Sequence, residues 1–395
     1  MSENVAMSVT GGFMILDFIK YMIKIMIKIV LHIFCIFPIE KDKITLLNDL
    51  SYTYGDSLKY IDRYIHMKRN GIYRIVYPIK NGASASEYND DILVRPKSFR
   101  YFKELITSGV IITNNGGVSY LPNRGGQLII STWHGGGPYK KTSTDVFKSF
   151  FYRKQAKLNA DNTDYILSSC EFFSKYEAKA MGFEEKEIIP IGLPRNDIIF
   201  NYNEDIYKKV RDFYSIPINV KFILFAPTFR GDFVNANKTK EYIELDIKKI
   251  IVALEKKFDS KWVCGIRLHP KLADVDMSNL PVINCTTYPD MQELLCSADA
   301  VISDYSSLIW DYSFTYKPIF LYAPDIEIYE KDRGFYMPLI KWPYPIAHNN
   351  KEMIDNILNF DQGEYVKKVK SHHIESGSFE SGAACQKILE LIEEV

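Results

Sequence analysis

Short apolar runs recur along the chain, each closed by a cluster of small or polar residues. Lys43–Leu47, Tyr73–Ile79, Asp91–Val94, Val110–Thr113, Gln127–Thr132, Asp164–Ser168 and Ile188–Ile191 read as β-strands. Most are apolar throughout rather than alternating, the pattern of strands buried on both faces of a parallel sheet. Ser57–Met67 and Phe172–Met181 carry helical spacing between them, which gives βαβ units and a doubly wound sheet. Over residues 199–220 the chain becomes charged and loses apolar clustering, and a second series then begins. Its strands are Phe222–Phe225, Trp262–Leu268, Pro281–Asn284, Ala300–Ile302 and the IFLYA run from Ile319. Helical spacing covers Tyr242–Phe258, Asp290–Ser297, the stretch from Leu308 to Phe314, Glu352–Leu358 and Ser381–Val395. The pattern predicts an α/β chain with two Rossmann-like domains, 40–215 and 216–395, facing one another across a cleft, the last helix packing back on the first domain.

Residues 1–39 stand apart. From Phe13 to Ile39 the chain is strongly apolar, interrupted by Asp17, Lys20, Lys24 and Lys28. At about 100° per residue these four fall within an arc of roughly 80°, so a helix here has one charged stripe and a broad apolar face. No uncharged run reaches the ~18 residues of a spanning helix, and a lysine at the bilayer centre costs about 2.5–3.5 kcal/mol. The segment is therefore expected to lie in the membrane interface, its lysines toward anionic headgroups. A spanning helix and a helix buried against protein, in the chain itself or in an oligomer, are the alternatives. A signal peptide is disfavoured, because the apolar part is too long and no small-residue cleavage site precedes Pro38.

Composition narrows the function. The chain has 395 residues and a formal net charge of zero, which argues against a nucleic-acid partner and leaves any attraction to anions to local patches. Its six cysteines lie at Cys35, Cys170, Cys264, Cys285, Cys296 and Cys385, with no CxxC spacing, and suit a reducing cytosolic compartment.

Candidate chemistry collects where strands end. His134 follows the QLIIST strand and precedes three glycines, a place where backbone approaches a ligand or turns sharply; its imidazole suits base work near neutrality. A loop histidine bonded to a backbone carbonyl is the structural alternative. Lys140 and Lys141 either meet an anionic acceptor or form a solvated face. Arg195, Arg230 and Arg267 with His269 each lie at a predicted strand-to-loop junction, and guanidinium forks there suit a diphosphate held without a metal. Asp304, Ser306 and Ser307 follow the Ala300–Ile302 strand. Asp304 could bind a nucleotide hydroxyl, cap the next helix or ligate a metal, and the serines are either phosphate donors or helix caps. Asp325 and Arg333, on the loop after IFLYA, either close the pocket or pair with each other. No GxSxG elbow, Walker A loop or zinc-protease motif is present, so hydrolase chemistry is disfavoured.

The blocks WHGGGPYKK, GLPRND, ILFAPTFRGD, RLHP, ADAVISDYSSLIWDYS, KPIFLYAPDIEIYEKDRGFY and SGSFESGAA, in that order over residues 105–390, resemble the signature blocks of the CDP-glycerol glycerophosphotransferase family of teichoic-acid and capsule synthesis. The resemblance implies a glycosyltransferase-B-like fold whose C-terminal half binds a CDP-polyol and whose N-terminal half serves the acceptor. It implies a base at His134 and a second functional histidine at His269, with nucleotide and phosphate contacts at Arg230, Arg267, Asp304, Ser306 and Ser307. The five residues between His134 and Lys140 depart from the HGTPLK form of chain-extending polymerases and look more like primase-type members.

The resulting expectation is transfer of a polyol phosphate, from CDP-glycerol or CDP-ribitol, to a hydroxyl of a lipid-linked glycan or growing polymer, with release of CMP. No cofactor or metal is expected, and the place of action is the cytoplasmic face of a bacterial cell membrane, with the protein bound peripherally. A nucleotide-sugar transferase on the same fold is one alternative, and a non-catalytic binder of nucleotide or polymer is another.

Overall fold

The computed structural model describes residues 2–80, 88, 91–201, 204–228, 245–268, 277 and 279–394, without the side chains of residues 2–14. The chain divides into two compact units. Unit 1 comprises Met1–His134, Lys141–Asp197 and Phe379–Val395; unit 2 comprises Gly135–Lys140 and Ile198–Ser378.

Unit 1 is built on a parallel seven-stranded sheet of order β3-β2-β1-β4-β5-β6-β7. The strands are β1 (Glu40–Leu47), β2 (Arg74–Pro78), β3 (Ile92–Val94), β4 (Ser108–Thr113), β5 (Leu128–Ser131), β6 (Tyr165–Ser168) and β7 (Ile188–Pro190). Every residue of β4 is buried, as a strand covered on both faces requires. Register pairs Ile44 with Ile75 on one side and with Val110 on the other. The strand order reverses between β1 and β4, so the loops after those strands part at the carboxyl edge and leave the kind of crevice where α/β proteins bind ligands.

The helices of this unit begin with α1 (Ser2–Leu31), α2 (Asp56–Arg69), α3 (Phe99–Thr107) and α4 (Phe150–Ala160). α1 packs on α4, where Phe18 and Phe151 rings lie 4.8 Å apart. Leu31 and Phe34 join the core formed by Leu47, Val76, Tyr101 and Leu105. The charged stripe of α1 does not face outward, as the sequence pattern alone had suggested. Ser149 Oγ donates to Asp17 at 2.5 Å, and Lys28 Nζ donates to Asn162 at 3.3 Å. Lys24 is half-buried; burial pushes its ammonium pKa down while the charge of Asp49 opposes the shift. The narrow polar seam is thus the seated side, because unit 1 offers it polar partners. Lys20 is exposed. The opposite side of the helix leaves Ile19, Met22, Ile23, Met26, Ile29 and Val30 in solvent, and Ile33 and Ile36 continue it. Among the described residues no helix is long and apolar enough to cross a membrane.

Unit 2 repeats the topology with a six-stranded parallel sheet of order β10-β9-β8-β11-β12-β13. Its helices are α5 (Asp197–Phe200, begun by the last residue of unit 1), α6 (Glu204–Tyr214), α7 (Ile247–Phe258), α8 (Met291–Ser297), α9 (Leu308–Ser313), α10 (Ile326–Asp332), α11 (Asn350–Leu358) and α12 (Gln362–Glu375). Its strands are β8 (Lys221–Phe225), β9 (Trp262–Ile266), β10 (Val282–Asn284), β11 (Ala300–Ser303), β12 (Ile319–Tyr322) and β13 (Ile346–Ala347), and the order reverses between β8 and β11.

The chain then returns to unit 1. Phe379 N donates to the Ser169 carbonyl at 2.9 Å. Glu380 accepts from Leu193 N at 3.1 Å and Asn196 Nδ2 at 3.0 Å. Asp197 accepts from Ala384 N at 3.0 Å and Cys385 N at 2.8 Å at the start of α13 (Ala384–Glu393). α13 lies on α2, with Glu393 paired to Arg69. The GLPRND and SGSFESGAA blocks therefore hold each other.

Candidate functional site

In unit 1 the strand ends at the reversal carry a polar cluster: Asn48 and Asp49 after β1, Asn114 and Asn115 after β4, and Thr132, Trp133 and His134 after β5. The Trp133 backbone takes φ +54°, and its indole packs against the His134 ring, tilted by 39° at 4.0 Å between centroids. That indole donates through Nε1 to Glu177 at 3.2 Å, and Glu177 lies in a π-helical turn, Phe173–Ala178. His134 Nδ1 lies 3.1 Å from the Asn114 carbonyl. A carbonyl only accepts, so Nδ1 carries the proton, and in the neutral ring Nε2 carries the lone pair.

Arg195 is buried, and its Nη1 donates to the His134 carbonyl at 2.8 Å and to Asp56 Oδ1 at 3.2 Å. Asn114 Nδ2 donates to Asp56 Oδ2 at 2.9 Å and to Asn48 Oδ1 at 3.0 Å. Asp49, held by Asn115 Nδ2 at 3.3 Å, has its carboxyl pushed up to about 6 by burial. Lys141 is half-buried in the same unit. Sequence reasoning reached His134 and Arg195 but not Asp56, Asn114 or Glu177. The adjacent asparagines after β4 were the one visible sign; nothing local marks Asp56.

The segment after His134 belongs to unit 2. Tyr139 is buried there, its hydroxyl 2.9 Å from that of Tyr344 and 3.1 Å from His372 Nε2, while Lys140 bridges to Phe335 in antiparallel fashion. Gly137 has φ +81°, and a Cβ there would stand 2.7 Å from the Tyr139 ring and 3.0 Å from Trp310. The glycine run is thus a packing requirement at that position. His372 and His373 are buried among aromatic rings, and burial depresses their pKa values to about 3 and about 4.

At the reversal in unit 2, Asp304 laces the loop after β8 to the loop after β11. It accepts from Thr228 N at 2.9 Å, Thr228 Oγ1 at 2.5 Å and Tyr305 N at 2.6 Å. These bonds organise the two loops, a role not among those weighed for Asp304 from sequence. Ser306 makes one long contact, accepting from Leu308 N at 3.4 Å, and Ser307 stands at the start of α9 without a side-chain cap bond. Tyr305 stacks on Tyr329 at 4.1 Å and donates to Asp325 at 3.1 Å, which ties the loop after β12 to this edge. Arg333 is exposed. Arg267 Nη1 donates to the carbonyls of Cys285 at 3.2 Å and Tyr288 at 2.7 Å, and burial lowers its pKa. Arg230 and His269 lie outside the described residues.

Among the described residues one group has metal-ligand chemistry, Asp62, His66 and Asp91, with ligand atoms within 4.8 Å of one another. Tyr54 donates to Asp62 at 2.6 Å, and His66 Nε2 lies 2.9 Å from Asp91 and 3.4 Å from Asp62. Although burial opposes it, the bond to Asp91 and the charge of Asp62 raise the His66 pKa.

Comparison with known proteins follows the same lines. The chain is 28% identical over 356 residues to the teichoic acid poly(glycerol phosphate) polymerase of Staphylococcus epidermidis, covering 86% of this chain and 48% of the polymerase, so it spans about half that relative's length. It is 28% identical over 284 residues to the teichoic acid ribitol-phosphate primase of Bacillus spizizenii, covering 69% of this chain and 71% of the primase. Its fold superposes on the wall teichoic acid polymerase TagF with a TM-score of 0.79 at 28% identity, over 90% of this chain and 89% of TagF. The profile of one family matches residues 29–394, most of the chain. The chain belongs to the CDP-glycerol:poly(glycerophosphate) glycerophosphotransferase family.

Proposed function

We propose that the protein transfers a polyol phosphate, glycerol phosphate first, from a CDP-polyol to a hydroxyl of a lipid-linked glycan or growing polymer. The observation that carries this reading is the His134 imidazole, bonded through Nδ1 to a carbonyl and so basic at Nε2. Nε2 takes the proton of the acceptor hydroxyl as its oxygen bonds to the phosphorus bearing the polyol. The bond from that phosphorus to the CMP oxygen breaks, and CMP leaves with the electron pair. Backbone N–H groups near Ser306 and Ser307, on the loop that Asp304 organises, meet the diphosphate, with Arg230, Arg267 and His269 as the cationic partners. Lys140 and Lys141 are assigned to the acceptor, Asp325 and Arg333 to the donor side. No step is assigned to a metal.

The acceptor reading implies a lipid surface, and the outward apolar face of α1 supports one. Helix and surface meet through Ile19, Met22, Met26 and Ile29, which makes the protein peripheral rather than spanning.

The test offers the purified protein CDP-glycerol and CDP-ribitol with a lipid-linked acceptor and follows CMP by mass spectrometry. CMP release from one of them is expected, with a His134→Ala loss on the order of 10³-fold while CDP still binds. Normal turnover by His134→Ala, or release from UDP- or GDP-sugars alone, overturns the assignment.

A further inference from the structure

We infer that Asp56 is a positioning residue for His134, holding both the ring and the main chain of the base through a closed ring of hydrogen bonds. The inference rests on His134 being the base. One carboxylate oxygen, Oδ2, accepts from Asn114 Nδ2 at 2.9 Å, and the carbonyl of that same Asn114 accepts from His134 Nδ1. The other, Oδ1, accepts from Arg195 Nη1 at 3.2 Å, and that same nitrogen donates to the His134 carbonyl at 2.8 Å. Asp56 Oδ1 also accepts from Ser57 N at 2.8 Å, which fixes the carboxylate at the head of α2.

Three things set this apart from an ordinary buried ion pair. The residues come from four separate places in the chain, the loops after β4 and β5, the start of α2 and the turn before α5, and they meet around the base. The Asp56 backbone takes φ +56°, a left-handed conformation that a side chain other than glycine rarely adopts and that persists where surrounding bonds over-determine it. The position also needs two acceptors. Asparagine offers one carbonyl oxygen and turns an NH2 group toward the other donor, so it satisfies Asn114 or Arg195 but not both.

The consequence is chemical. A base loose by about 1 Å loses on the order of 10²-fold in rate. Opening the ring frees the Asn114 loop, and with it the carbonyl that selects the Nδ1–H tautomer.

The test is Asp56→Asn in the full chain, read by two-bond ¹⁵N–¹H spectra of labelled histidine, with His134 assigned by its absence in His134→Gln. The wild type is expected to show the Nδ1–H form, and Asp56→Asn a mixture of tautomers. In turnover, kcat is expected to fall about 30-fold or more with the KM for CDP-polyol within about twofold, a split that a merely structural defect does not give. An unchanged His134 spectrum in Asp56→Asn overturns the inference. If Asp56→Asn does not fold, Asp56→Gly, which relieves the left-handed backbone, carries the same measurement. If the wild type releases no CMP from either donor, the proposed function fails, and the tautomer spectrum still decides the role of Asp56.

Discussion

Replacing Met26, Ile29 and Ile33 together by glutamine tests the orientation of α1. These side chains are 62%, 65% and 67% exposed and point away from unit 1, so the substitutions remove no core contact. Full burial of a Met or Ile side chain contributes about 1.5–3 kcal/mol. Roughly two-thirds of that area is still in water, so a lipid surface has about 1–2 kcal/mol to gain from each. Taking the lower end, because the bilayer interface is partly wet, the triple change costs about 3 kcal/mol of membrane affinity, on the order of 10²-fold in partition at 1.4 kcal/mol per tenfold. Flotation with vesicles of phosphatidylglycerol and phosphatidylethanolamine measures it, and the melting temperature should stay within about 2 °C of wild type, since exposed positions contribute little to stability. Lys24→Gln leaves vesicle binding unchanged and does not lower the melting temperature, because burial costs that ammonium more than the charge of Asp49 returns. Equal vesicle binding by the triple variant refutes the reasoning. So does a Lys24→Gln variant that loses binding, which would mean the helix meets the membrane by its charged stripe.

Two further outcomes follow from the described chemistry. Turnover should survive dialysis against EDTA with its rate unchanged within about twofold, because the diphosphate charge is assigned to donors and arginines; a rate lost to EDTA and restored by a divalent cation would instead direct attention to Asp62, His66 and Asp91. Acid should weaken unit 2 well above the range of its carboxylates. His372 and His373 stay neutral in the fold, with pKa values near 3 and near 4, while the unfolded chain binds their protons below about 6.5, so this stability is complete above that pH and is lost as pH falls. At pH 5 the loss is up to about 2 kcal/mol for each histidine. Urea titrations at pH 7 and pH 5 measure it, and a His373→Gln variant with an undiminished difference would rule out its share.

The parallel sheets were legible because their strands are continuous apolar runs closed by polar turns, and the runs from Lys43 to Leu47 and from Phe222 to Phe225 lie within β1 and β8. The helices that escaped notice did so for a physical reason. α6 is hidden by its charges and not by its spacing, since Ile206, Tyr207, Val210 and Tyr214 recur at helical intervals among charged neighbours that give the stretch the look of a linker. α12 buries Tyr365 and Val369 alongside two histidines and shows no clean apolar stripe. For α1 the periodicity defined two faces but not which one is seated; that depends on Ser149, Asn162 and Asp49, which are distant in sequence. The site divides in the same way. His134 announces itself by its glycines, whereas Asp56 and Asn114 acquire meaning only when β1 and β4 lie side by side.

The return of the chain to unit 1 sets an order for its biogenesis. The main-chain groups that Asp197 and Glu380 hold lie on opposite sides of a stretch of 181 residues, 198–378, that belongs to unit 2. At ~5–20 residues per second, a ribosome that has just made Asp197 needs roughly 10–40 s to deliver Phe379. During that interval unit 2 gains all it needs to fold, while unit 1 waits with the head of α13 missing and the flank of α2 bare. A nascent chain stalled before residue 379 would therefore hold a complete second unit and a first one still lacking α13.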